Sequence, residues 1–243
     1  CWPVLLDAAL DDDARISEAA ADILADVPAK EIDNLLVARL QSASGKSRLV
    51  WINLVGRRHI ETVTTILLKL ADDPDASVRA AALTALGATI AAHDLPILIA
   101  RAVAQDKPEE AQAAEAALRA ACARMSDRDA SAAKVLDAIA SAQIPARCTL
   151  LGVLVTIGGD KGLQAVAAAA KDANPEVRRA AYRALGEWTA ADAGPALLAD
   201  RPALFRGVRT GACRHDQRRR ARSRHPQEDL RHPGQVRMRA AQR

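Results

Sequence analysis

Aromatic side chains are nearly missing from this sequence: three Trp, one Tyr and one Phe among 243 residues. A single globular nucleus of that length draws much of its volume from such rings, so one large central core is not expected. Half of the residues are apolar, and they are mainly Ala, Leu and Val, which suits thin layers of closely packed helices. Turn-bounded runs of β-branched and aromatic residues, the mark of strands, are also scarce. The four cysteines, Cys1, Cys122, Cys148 and Cys213, share no short spacing. Without Cys-x-x-Cys, zinc, dithiol redox and haem-attachment readings have no support. Cys122 and Cys148 read as small buried apolar residues. No apolar run approaches the roughly 18 residues of a membrane-spanning helix, so no membrane span is expected. The chain begins Cys-Trp-Pro, with neither an initiator Met nor the basic segment of a signal peptide. It is therefore read as a fragment whose compartment is open, with a weak cytoplasmic lean from its few irregular cysteines.

The net charge of +4 hides a split. Residues 201–243 carry 13 arginines against 3 acids, which leaves 21 basic and 27 acidic residues to 1–200. An acidic array and a basic tail are thus expected to be separate things.

Internal repetition organises the acidic part. The segment 73–87 (Asp-Pro-Asp-Ala-Ser-Val-Arg-Ala-Ala-Ala-Leu-Thr-Ala-Leu-Gly) nearly superimposes on 173–186 (Ala-Asn-Pro-Glu-Val-Arg-Arg-Ala-Ala-Tyr-Arg-Ala-Leu-Gly). The two lie about three periods of 33 residues apart, a spacing typical of helical repeats. Each unit reads as helix, turn, helix. Ile60, Val63, Ile66, Leu67 and Leu70 recur at helical spacing and mark a first helix. Asp75 is then expected to cap the second helix through its carboxylate. In the last clear unit Asn174 takes that role, with Pro175 at the first helical position, where a missing N–H costs nothing. Gly87 and Gly186 are expected to end their helices as left-handed residues. Ala80, Ala81, Ala180 and Ala181 are expected to let neighbouring helices approach closely. About six units follow, near 1–27, 28–57, 58–92, 93–126, 127–158 and 159–191, with a seventh beginning at 194–198. One helix pair leaves an apolar face wet, and the next pair covers it, so such units gain stability as a row.

These residues, Asp-Pro-Asp-Ala-Ser-Val-Arg-Ala-Ala-Ala-Leu (73–83) and Asn-Pro-Glu-Val-Arg-Arg-Ala-Ala (174–181), resemble HEAT repeats, especially the bacterial HEAT-like repeats named after phycobilisome lyases. The resemblance covers about 1–198 and implies an all-α superhelix, a HEAT-like solenoid of antiparallel helix pairs. It also implies a non-catalytic scaffold for a protein or peptide partner, belonging to a larger bacterial protein. In the family, the arginine after Val bridges to an acidic neighbour between repeats. Arg79 and Arg178 match that position, and Arg48 falls in register when Gly56 is aligned with Gly87 and Gly186. Ser47 stands where the pattern has Val. In the unit ending at Gly158 the aligned residue is Leu150, so the ladder is expected to break there. Arrays of this texture also serve as accessory domains of larger multidomain enzymes, which keeps that alternative open.

Other chemistry finds little footing. Ser44-Gly45-Lys46-Ser47 lacks the earlier glycine and the strand of a phosphate-binding loop, because Leu40 stands where that glycine belongs. A di-iron hydroxylase built on such repeats needs several His-Glu pairs, whereas the array offers His59 and His93. No constellation for bilin lyase activity is visible. Asp11-Asp12-Asp13 and Asp72-Asp73 lack calcium-loop spacing and read as helix caps. Trp51 and Trp188 read as packing residues. No catalytic, cofactor-binding or metal-binding residue is therefore assigned. Arg48, Asp75, Arg79, Asn174 and Arg178 are expected to be structural, between or within repeats. Arg57, Arg58 and Arg179 are the candidates for a partner surface. With Arg178, or through the basic tail, they also carry the alternative of nucleic-acid binding, for which the net acidic array offers few phosphate contacts. The segment 199–243 has no apolar periodicity and is expected to be disordered. It reads either as a GC-rich gene translated out of frame or as a basic arm.

Overall fold

A computed structural model describes residues 2–104 and 108–188, all within the first of the two units into which the chain divides, Cys1–Leu197 and Leu198–Arg243. The seventh helix pair expected from 194, the boundary near 198, the basic segment 199–243, Cys1 and Cys213 lie outside the described residues.

The described residues form twelve α-helices and two short 3-10 turns, with no strand. The helices come in six sequential pairs: α1 (Trp2–Ala8) with α2 (Ala14–Asp26), α3 (Lys30–Ser42) with α4 (Gly45–Arg57), and α5 (Thr64–Leu70) with α6 (Ala76–Thr89). Then follow α7 (Leu95–Ala102) with α8 (Pro108–Arg124), α9 (Arg128–Ser141) with α10 (Ile144–Ile157), and α11 (Gly159–Ala169) with α12 (Pro175–Glu187). The second helices pack on one another in order, α2 on α4, α4 on α6, and so on to α12. The architecture is therefore the all-α, paired-helix row expected from the repeat.

Local chemistry sets the helix starts. Asp13, Asp75 and Asn174 each sit in extended backbone and accept a hydrogen bond from the amide two residues on, at 2.9, 2.8 and 2.8 Å. These bonds satisfy amides that have no partner inside the helix. Asp11, Asp73 and Asp172 brace the same turn one step earlier, accepting from the amides of Asp13, Asp75 and Asn174 at 2.8, 2.9 and 2.8 Å. Within the acidic runs Asp11, Asp13 and Asp73 are thus capping devices, while Asp72 pairs with Arg101 of α7 at 2.7 Å.

Helical spacing then builds the core. Ile32, Leu36 and Leu40 put one stripe of α3 inside, and Val78, Ala82, Leu83, Ala85 and Leu86 do the same for α6. These join a single apolar layer that runs from Leu6 to Leu185. Each fully buried leucine in it stabilises the fold by roughly 1.5–3 kcal/mol relative to exposure.

Two expectations change. Gly87 and Gly186 lie inside their helices, since α6 continues to Thr89 and α12 to Glu187. The glycine at 87 serves helix approach: a Cβ there would stand 2.8 Å from the Ala117 carbonyl oxygen of α8. Gly56 meets Ala85 of α6 in the same manner, at 3.1 Å. The left-handed residue that closes α4 is instead His59, with φ 53°, and Ile60 N–H reaches back to the Val55 carbonyl at 3.2 Å. Among the four alanines, Ala80 faces solvent, whereas Ala180 and Ala181 are buried.

Candidate functional site

The row of second helices is fastened by arginines. Arg48 on α4 donates through Nη1 to Asp73 at 2.8 Å and through Nε to its own turn at Ala43 O, 2.9 Å. Arg79 on α6 lies 2.9 Å from Glu110 on α8 and donates to the Asp73 and Pro74 carbonyls, both at 2.9 Å. Arg178 on α12 donates to the matching carbonyls, Asp172 and Ala173, at 2.8 Å. Each guanidinium is held against the turn that begins its own helix, and Arg48 and Arg79 also reach the next unit.

In α10 the ladder does not break. Leu150 is buried in the core, and Arg147 takes the rung, 2.9 Å from Asp172. Arg147 and Asp172 are 25 residues apart, as are Arg48 and Asp73. The expected register rested on Gly158, but that glycine is the true end of α10, at φ 69°, and is not the counterpart of Gly56 or Gly87. In α8 the position two residues after Ala117 holds Arg119, where α6 has Gly87 two residues after Ala85. The Arg119 guanidinium bonds Glu115 at 2.8 Å, then crosses to α10, to Gly152 O at 2.8 Å and Thr156 Oγ1 at 3.2 Å. Sequence reasoning missed Arg147 and Arg119. The recurring 25-residue step from Arg to Asp was the signal for the first.

The three surface candidates separate. Arg57 is exposed and pairs with Asp22 on α2 at 2.9 Å. Arg179 is exposed on α12. Arg58 is not a surface residue: its side chain is 6% exposed. It bonds Asp33 at 2.6 Å and the Val27 and Ala29 carbonyls at 2.8 and 3.2 Å. It clamps the end of α4 onto the turn between α2 and α3, and the expectation that it meets a partner is withdrawn.

Between the second helices the open face carries grooves. One, about 430 Å³, lies between α4 and α6. Leu49, Gly56, Ala81, Ala85 and Ala88 supply its apolar lining, while Asn53, Arg57, His59 and Thr84 supply polar groups. Its size follows from the small residues at the helix crossing, which leave no side chains to fill the trough. His59 Nδ1–H donates to Ala88 O at 2.8 Å and fixes one end. A second groove of about 160 Å³ lies between α2 and α4, and Asn53 and Arg57 line it too, so these two side chains form the ridge between neighbouring troughs. A third, about 280 Å³, spans α8, α10 and α12 and includes Glu115, Arg119, Arg183 and Glu187. Cys148 borders it, and burial pushes its thiol above the ordinary range. Among the described residues no three His, Cys, Asp or Glu side chains gather as a metal site would require, and no helix is long and apolar enough to cross a membrane.

A comparison with curated protein sequences finds no match. Among solved structures the chain is similar to human deoxyhypusine hydroxylase in complex with glycerol, at 20% identity and a TM-score of 0.30, over 77% of this chain and 84% of that one. The family model for HEAT repeats matches residues 32–119 and 132–212. With most of its length matched and its helices stacked as pairs, the chain belongs to the HEAT-repeat family.

Proposed function

We propose that this HEAT-repeat domain is a non-catalytic scaffold that holds a segment of a partner protein across the second helices α2, α4 and α6. The observation that carries this reading is the pair of adjoining troughs with a shared polar ridge at Asn53 and Arg57. Apolar lining with a few placed polar groups is the usual make-up of a binding cleft, and the extended surface of a solenoid suits a chain segment laid across it. Arg57 is oriented by Asp22 and still 40% exposed, so it can meet an acceptor on the partner. The arginines favour a protein over a nucleic acid. Arg48, Arg58 and Arg147 are all bound to carboxylates within the array, which removes charges that phosphate binding would use.

The test is affinity capture from the source cell, comparing the parent chain with Thr84→Arg, which fills the larger trough from an exposed position. A protein recovered by the parent and by Lys69→Glu, on exposed α5 surface, but lost with Thr84→Arg supports the scaffold. Equal capture by all three, or turnover of a small substrate by the purified chain, overturns it.

A further inference from the structure

The first and third helix pairs are in one register. A shift of 62 residues carries Trp2–Ala8 onto Thr64–Leu70, the bracing Asp11 onto Asp73 and the capping Asp13 onto Asp75. The same shift places Ile16 on Val78 and Ile23 on Ala85. Val78 and Ala85 are 3% exposed, and Ala85 is covered from the side of the preceding pair, where Gly56 of α4 meets it. Their counterparts in α12, Val177 and Ala184, are 0% and 3% exposed. Ile16 and Ile23 are each 47% exposed, and Val4 on α1 is 71% exposed. Positions 16 and 23, which are core elsewhere in the row, are therefore open here, and they hold isoleucine where the row has valine and alanine.

The acid in the same register repeats the pattern. Asp73 and Asp172 are taken by the arginine of the preceding second helix, at 2.8 and 2.9 Å. Asp11 makes the same brace with its own turn but is exposed. The face thus combines an apolar stripe with a carboxylate set where the row elsewhere receives a guanidinium.

We propose that the α1–α2 face is a docking surface for a further HEAT-type helix pair, seated as α3–α4 sits on α5–α6. The second helix of that pair carries an arginine for Asp11 and a small residue opposite Ile23. The occupant is defined by continuity with the interfaces of the row and by the Arg-to-Asp complementarity they share.

The test extends the full chain by a second copy of residues 28–63 joined directly to Trp2. The copied Arg48 then lies 25 residues before Asp11, the spacing of the Arg48–Asp73 and Arg147–Asp172 rungs. Docking is expected to raise the thermal midpoint by at least about 3 °C. Ile16→Asp with Ile23→Asp should abolish the rise in the extended chain while leaving the unextended midpoint unchanged. Asp11→Asn should lose its effect once the copied arginine is Met. An extended chain that melts with the parent overturns the proposal, as does an equal loss from the paired Asp substitutions in both chains. Concentration-dependent dimers of the parent in light scattering, dissolved by Ile16→Asp, would assign the face to a second copy and also overturn it.

Discussion

Gly87 of α6 and Ala117 of α8 are in such close approach that a methyl group on the glycine would meet the Ala117 carbonyl oxygen at 2.8 Å and its Cα at 2.9 Å. Backbone cannot move aside as a flexible side chain can, so Gly87→Ala should push the two helices apart. Overpacking of this kind costs about 1–3 kcal/mol, while alanine recovers up to about 1 kcal/mol of helix propensity. The net expectation is a loss of about 1–2 kcal/mol, since sterics exceed propensity. Gly186 holds the matching position in α12, but no atom of the described residues lies within 4 Å of its added methyl. Gly186→Ala should therefore be neutral or stabilise by up to about 1 kcal/mol. Urea unfolding midpoints of the two variants should move in opposite directions. Equal shifts would show that helix contact does not set the requirement at 87.

How much of this was legible beforehand differs by element. The pairs were legible because apolar residues recur at helical spacing between capping signals such as Asp75 and Asn174, and those signals act within a few residues. The arginine ladder was legible at Arg48 and Arg79 and misread at α10. Glycine recurs as a register mark in the sequence, yet Gly158 ends a helix while Gly56 and Gly87 lie inside one. One residue type answers two physical needs, left-handed backbone and close approach, and sequence alone does not separate them. Arg57 and Arg58 are adjacent in sequence and opposite in fate, because about 100° of helical turn separates them. The grooves were not legible at all. They depend on which alanines face a neighbouring helix, as Ala85 does, and which border open space, as Ala88 does.

Arg58 should be the most costly surface-looking arginine to remove. Its guanidinium satisfies Asp33 and the carbonyls of Val27 and Ala29, and its side chain is 6% exposed. Arg58→Met leaves a carboxylate and several carbonyls without their donor, a loss expected at about 3 kcal/mol. Arg58→Lys should recover little of it, because one ammonium cannot span the fork that the guanidinium covers. Arg57→Met, beside it, removes an exposed pair and should cost no more than about 1 kcal/mol. Chemical denaturation of the three variants checks the order. A mild Arg58→Met would mean that the turn between α2 and α3 reorganises around water.

The rung between Arg147 and Asp172 should show real coupling. Both partners are largely covered, at 32% and 19% side-chain exposure, and Asp172 also braces the amide of Asn174. A double-mutant cycle with Arg147→Met and Asp172→Asn is expected to give a coupling of about 1 kcal/mol or more. The same cycle on Lys46 and Asp12 should give roughly zero, since exposed pairs are screened. That pair is 3.5 Å apart, with side chains 76% and 104% exposed. Raising the salt concentration should weaken the second further and leave the first nearly intact. Two indistinguishable cycles would show that burial does not strengthen the rung.

Alkaline stability should carry the signature of Cys122. The residue is 2% exposed in α8, and burial pushes its thiol up to about 11. In the unfolded chain the thiol ionises near its ordinary value of about 8.5–9. Between those values the folded state holds a proton that the unfolded state has released, so stability falls as pH rises. The contribution is complete below pH 9 or so and is lost progressively toward 11, amounting to roughly 2–3 kcal/mol across the window. Cys122→Ala removes the titration at the cost of a small cavity. Its stability should therefore decline less steeply with pH than that of the parent, and the two curves should converge above pH 9. Parallel curves across that window would place the thiolate in contact with water and contradict the packing of α8 against α6 and α10. The same burial predicts that iodoacetamide at pH 8 modifies Cys122 only as fast as the array unfolds, because the thiolate is the reacting form.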